Sequence, residues 1–177
     1  MTLHHYSNLL QRCLIACSAL LLCSCGMFAD KPQPYNIHIA YAPETIDQFR
    51  IYPSVEVDLI GCNDIESKRL LAASIDDYFR PNSSLRNSLS KKTFLFSEEK
   101  PTEQVLLTKD PIWDKWLKKQ GVTELTLLVN LLQESKEATD GRILQIPLYQ
   151  SRWDDEDIEI LITPAGLSLR THLKPQN

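Results

Sequence analysis

Apolar and polar residues alternate with a period of two over much of this chain. "YNIHIAY" sets Ile37, Ile39 and Tyr41 against Asn36, His38 and Ala40, and "SVEVDLIG" sets Val55, Val57 and Leu59 against Glu56 and Asp58. A strand packed on one face only produces this alternation, so both segments read as half-buried antiparallel strands. Short strands follow in "TFLFS", "QVLLT", "GRILQIPLY", "DIEILIT" and "LSLRTHL", the last two joined across "PAG" as a hairpin. "VTELTLLVNLL" is long and apolar enough to be a central strand. The period changes in "NDIESKRLLAASIDDYF", where Ile65, Leu70 or Leu71, Ile75 and Phe79 recur at helical spacing. Asn63 or Asp64 suits the cap, and Pro81 ends the segment.

A second short helix is predicted in "DPIWDKWLKKQG". Asp110 is the N-cap, Pro111 sits in the first turn, Lys118 and Lys119 lie at the C-terminal end, and Gly121 stops it. Its stripe of Trp113, Trp116 and Leu117 suits packing over a sheet edge or barrel end. "APETIDQFR" reads as a loop or short turn and "RPNSSLRNSLSKK" as a polar linker. About eight short strands with one or two accessory helices define a mainly β fold, a two-sheet antiparallel β-sandwich. An α+β domain with the first helix lying across one sheet is the alternative.

The start of the chain has a different character. "MTLHHYSNLLQR" is mildly basic through Arg12 and is followed by the uncharged apolar run "CLIACSALLLCS". These are the n- and h-regions of a signal peptide, and the run is too short to span a bilayer comfortably. Leu22-Cys23-Ser24-Cys25 resembles the lipobox of bacterial lipoproteins, in which a small residue precedes a cysteine whose thiol takes a diacylglycerol. Cys25 fits, with Ser24 before it; Cys23, after Leu22, fits badly. An ordinary signal peptide or a transmembrane anchor is the competing reading. Each buried methylene of an acyl chain adds about 0.8 kcal/mol, so several chains hold far more firmly than one. Gly26 stands where inner-membrane lipoproteins often carry Asp. That resemblance implies the outer membrane, with the body facing the periplasm. The expected organisation is a signal peptide at 1–24, a lipidated tether at 25–34 ("CGMFADKPQP") and one periplasmic domain at 35–177.

Without Arg12 the remaining chain has 18 basic against 23 acidic residues, a formal charge of −5. That balance, with no basic patch interleaved with aromatics, points away from nucleic acid. Cys62 is the one cysteine beyond the lipid acceptor, so it has no partner within the chain and reads as a buried small hydrophobe, with an intermolecular bridge as the minor alternative. Catalytic signatures are missing. The mature chain holds His38 and His172 alone, with no Gly-x-Ser-x-Gly elbow, His-Glu-x-x-His pair or phosphate-cradling glycine loop. The run Asp154, Asp155, Glu156, Asp157 offers oxygens to calcium but lacks the glycine and alternation of a calcium loop, and it reads as a solvated face. No cofactor, metal or small-molecule substrate is expected.

A non-catalytic recognition module is what remains, with contacts carried by loops on a stiff sandwich. Candidate loops are 42–52, 80–92 with Arg80, Leu85 and Arg86, and 133–141 with Glu134, Lys136 and Glu137. Tyr149 and Trp153, between strands, are the aromatics expected to be partly exposed. Arginine and aromatics are the residue types enriched in binding hot spots.

The order of features resembles a known family. The lipobox at Cys25, the short tether, the proline-led strand "YPSVEVDLIG" and the helical segment ending "SIDDYF" are similar to the small outer-membrane lipoprotein of the bacterial type VI secretion membrane complex. The resemblance spans Tyr35 to about Leu173. "LTKDPIW" stands where the family commonly has a proline-glycine turn, and "ELTLLVNLL" lacks the family's glycine. The resemblance implies a transthyretin-like two-sheet sandwich with extra helical elements. It also implies a role: anchoring a trans-envelope complex by gripping the periplasmic domain of a large inner-membrane protein, through a loop between early strands. An envelope-assembly or cell-wall-binding lipoprotein is the alternative.

Overall fold

The structure, a computed structural model, describes residues 30–131 and 140–175. Eight strands form two four-stranded sheets. β1 (Asn36–Tyr41), β4 (Glu103–Leu106), β7 (Asp157–Thr163) and β8 (Gly166–Leu169) make one, in the order β4-β1-β7-β8. β2 (Val55–Cys62), β3 (Lys91–Phe96), β5 (Glu124–Val129) and β6 (Ile143–Pro147) make the other, in the order β3-β2-β5-β6. The sandwich expected from the alternating pattern is present, and its pairs are antiparallel with one exception. β1 and β7 run parallel, Ile37 opposite Ile158 and Ile39 opposite Ile160. No hairpin joins these two strands, and the long excursion through the second sheet between them permits the parallel sense.

Strand alternation sorts the side chains. Ile37, Ile39, Leu106, Ile158, Ile160 and Ile162 from one sheet meet Val55, Val57, Leu59, Phe94, Phe96, Leu125, Leu127 and Ile146 from the other, and this inner layer is the main core. Trp116 closes it against Gly61. A Cβ at Gly61 would lie 2.6 Å from two atoms of the indole, so only glycine lets the ring approach the strand this closely.

The second sheet is buried on its outer face as well. Ile60, Cys62 and Leu128 from that face pack under Leu70, Ile75, Tyr78 and Leu89 in a second apolar cluster. Its cover is helical, and the chain as a whole holds more helices than expected. The segment 43–49, read as a loop or turn, is a helix, α1 (Pro43–Phe49); Pro43 opens it and Arg50, at φ 61°, ends it. Thr45 Oγ1 donates to Ile162 O at 2.7 Å and fixes it on β7. The expected single helix from 63 to 79 is two, α2 (Asp64–Leu71) and α3 (Ile75–Phe79). Asn63 and Glu66 form a capping box for the first, and Ser74 caps the second by accepting from Asp77 N. The polar linker carries α4 (Ser84–Ser88), capped by Ser83.

The predicted second helix is a π-helical turn over Asp114–Lys119. Asp110 still accepts from Ile112 N at 3.0 Å, as its capping role predicts. The turn presents Trp113 and Trp116 to the core edge to face, their centroids 5.3 Å apart. Each indole N–H donates inward, Trp113 to Leu107 O at 3.0 Å and Trp116 to Ser90 O at 3.2 Å.

Candidate protein-docking surface

The strands point all connections to one of two ends. β1 runs from Asn36 to Tyr41 and β2 returns from Val55 to Cys62, so the β1–β2 connection lies at the end opposite Asn36 and Cys62. At the Cys62 end, Thr123 N donates to Cys62 O at 3.0 Å and Leu148 N to Thr123 O at 2.9 Å.

Arg80, Leu85 and Arg86 come together in the helical cover, with different fates. Arg80 is exposed, at the C-terminus of α3, and pairs with Asp77 at 2.8 Å. Leu85 is half-buried against the second apolar cluster. Both border a surface hollow of about 400 Å³ with Ser74, Asp77, Tyr78 and Asn82. Arg86 is no free loop arginine. Its Nε donates to Asp58 Oδ2 at 2.7 Å, its Nη2 to Glu56, and its guanidinium lies 5.0 Å from the Phe79 ring. Asp58 is fully buried and also accepts from Tyr78 Oη at 2.8 Å and from Thr93 Oγ1. The hydrogen bond to Asp58 raises the Arg86 pKa further, and burial followed by the Asp58 charge raises that of Tyr78. With Arg86 Nη2 also donating to Asp58 Oδ1 at 3.2 Å, four donor bonds from three side chains replace the water of this buried carboxylate.

Tyr149 and Trp153 lie elsewhere, beside the N-terminal segment. Tyr149 is half-buried. Trp153, expected to be partly exposed, is 4% exposed. Its indole N–H donates to Pro147 O at 2.8 Å and its ring meets Tyr35 edge on. A tryptophan between strands caps this end of the core because its N–H finds a carbonyl there. Of the loop 133–141, residues 133–139 lie outside the described residues, as do Cys25 and the signal peptide.

Two exposed apolar residues at the other end were not among the residues expected to bind. Phe49 is 42% and Ile51 59% exposed, flanking Arg50 in the β1–β2 connection. Beneath them Tyr41 contacts Tyr52 and Phe96, with ring centroids 5.6 and 5.5 Å apart, and the Tyr41 hydroxyl donates to Pro53 O. Burial pushes the Tyr41 pKa up to about 12. The signal available in the sequence was "FRIY": two large apolar residues on either side of a charge, next to a proline, outside any strand.

The remaining candidates carry structural roles. Cys62 is fully buried, and its thiol is pushed up to about 11 by desolvation. Among the described residues no group of three or more His, Cys, Asp or Glu is placed to hold a metal ion. In the acidic run Asp154 pairs with Lys174, and Asp157 accepts from Asn36 Nδ2 at 2.9 Å. His38 lies on the outer face of the first sheet, its Nδ1 2.9 Å from Glu103 and its Nε2 3.4 Å from Asp157. Among the described residues no helix is long and apolar enough to cross a membrane.

The fold is shared with solved chains of type VI secretion systems. One solved example is Lip from Serratia marcescens, a membrane-bound component of the type VI secretion system. It superposes with a TM-score of 0.50 at 12% identity, over 82% of this chain and 99% of that one. A chain of a type VI membrane complex superposes with a TM-score of 0.51 at 14% identity, over 77% and 98%. At such identities the likeness is one of fold, and it is the fold that the sequence resemblance implied. No protein-family model and no curated protein matches the chain.

Proposed function

We propose that this protein is a lipid-anchored, non-catalytic tether of a type VI secretion membrane complex. It is fixed to the outer membrane through Cys25 and faces the periplasm, where it grips the periplasmic domain of a large inner-membrane protein. The observation that carries this reading is the likeness of the whole sandwich, with almost the full length of Lip covered, in a chain whose own N-terminus reads as a lipobox. The exposed Phe49 and Ile51 support it, since they give the β1–β2 connection the apolar tip that a docking loop between early strands needs. Neighbouring Tyr41 and Tyr52 stiffen that tip and lower the entropy cost of binding.

The test is purification of the full-length protein in mild detergent with crosslinking, followed by mass spectrometry of its N-terminus and of the copurified proteins. Acylated Cys25 together with a large inner-membrane protein is the expected result. Recovery with glycan or barrel components instead would favour an envelope-assembly or cell-wall role.

A further inference from the structure

The chain is fastened to one end of the sandwich before its first strand begins. Pro32 bridges Tyr149 in antiparallel register, Gln33 N donates to Leu148 O at 2.9 Å, and Asn36 N donates to Glu156 O at 2.9 Å. Tyr35 is fully buried, and its hydroxyl donates to Tyr149 O at 3.4 Å and accepts from Gln33 Nε2 at 3.1 Å. Residues 32–34, expected to belong to the tether, are therefore part of the body. Six residues, 26–31, separate Cys25 from Pro32. Even fully extended they reach about 25 Å, and as a coil about 15 Å.

We propose that the end of the sandwich carrying Pro32, the Gln150–Arg152 turn and residues 170–175 is its membrane-facing surface, with Phe49 and Ile51 projecting from the opposite end. This rests on acylation of Cys25 in the function proposed above. The direction follows from the strands. β1 leads away from the fastened end over six residues, or about 20 Å, to the connection that carries Phe49 and Ile51. β2 brings the chain back to Cys62, beside Thr123 and Leu148. As a coil of about 15 Å the tether falls short of the far end, and bringing that end to the lipid would need the tether stretched almost straight back along the body. The surface is set by connectivity and not by attraction to lipid charge. Charges of both signs pair with each other there, Lys174 with Asp154 and Arg170 with Glu159.

The test uses the full-length acylated protein in phospholipid vesicles that carry a nitroxide-headgroup lipid as quencher. A fluorophore is attached at Gln150→Cys in one sample and at Gln48→Cys in another; both sites are exposed, and native Cys62 is buried. Quenching several-fold stronger at position 150, at low and high salt alike, is the expected result. Equal quenching, or stronger quenching at position 48, with the protein still floating with the vesicles overturns the orientation and leaves the anchor standing. Protein that stays off the vesicles, with no acyl mass on Cys25, overturns both. A flexible spacer of about twelve residues inserted after Gly26 should remove most of the difference. A difference that persists undiminished overturns the short tether as its cause.

Discussion

Arg86 and Asp58 join the helical cover to the sheet beneath it: Arg86 Nε donates to Asp58 Oδ2 at 2.7 Å across the β2–α4 boundary, and the carboxylate it holds is fully buried. Removing one member strands the other. Arg86→Met should cost about 3–5 kcal/mol, because Asp58 keeps its burial and loses its cation. The double variant Asp58→Leu with Arg86→Met should recover part of that loss. Urea denaturation of the wild type, Arg86→Met, Asp58→Leu and the double variant measures it, and an Arg86→Met protein no worse than a surface substitution would mean the pair does not hold the cover.

Gly61 and Trp116 make a second close contact. Gly61→Ala places a methyl carbon where the indole now lies, at 2.6 Å. Overpacking of this kind costs roughly 1–3 kcal/mol. A lowered midpoint together with altered tryptophan emission is the expected signature.

His38 supplies a pH dependence of known sign. The hydrogen bond to Glu103 raises its pKa above 6.5, helped by Asp157 and opposed by burial. Its contribution is complete below the unfolded value and is lost as pH rises through the folded one, so the protein loses a little stability on the alkaline side of 6.5. The side chain is about a third exposed, which limits the effect to about 0.5 kcal/mol. Glu103→Gln should flatten this part of the stability profile, and a nuclear magnetic resonance titration of the His38 ring should show its pKa falling.

At the acid end the sign reverses. The hydrogen bond to Arg142 holds the Asp140 pKa below its usual 3.8. Its contribution is present above that value and fades as pH falls through the lowered one. Asp140 orients the Arg142 guanidinium that reaches Asp76 at 2.5 Å on α3, so losing the Asp140 bond should loosen α3. Hydrogen exchange of α3 amides near pH 3, compared with neutral pH, checks this; protection unchanged relative to the strands would contradict it.

Phe49→Ser with Ile51→Ser removes exposed apolar surface from the β1–β2 connection. The melting temperature should hold within a degree or two, since exposed substitutions change stability by less than about 0.5 kcal/mol. Capture of the inner-membrane partner from detergent extracts should fall at least tenfold, as loss of two central apolar contacts predicts. Undiminished capture would move the docking site off the β1–β2 connection.

The sequence by itself determined the strands and the sandwich, because both are written in local pattern. Ile37, Ile39, Val55, Val57 and Leu59 face one way at a period of two whatever their partners are. Asn63 as a cap and the stop before Pro81 were equally local, and so was the cap at Ser74, whose Ser-Ile-Asp-Asp signature lay within the segment read as one helix. Tertiary structure decided what depends on distant residues. The parallel β1–β7 pairing joins strands more than a hundred residues apart, and no local signal sets its sense. α1 holds at seven residues because Thr45 finds Ile162 O. Arg86 looked like a loop arginine available to a partner, yet Asp58 and Glu56, some thirty residues earlier, claim it. Trp153 lies buried because Tyr35 and Pro147 O meet it at the closed end. Exposure, unlike periodicity, is set by which segments arrive next to one another, and that is why Phe49 and Ile51 were visible as a tip only once the sheets had been assembled.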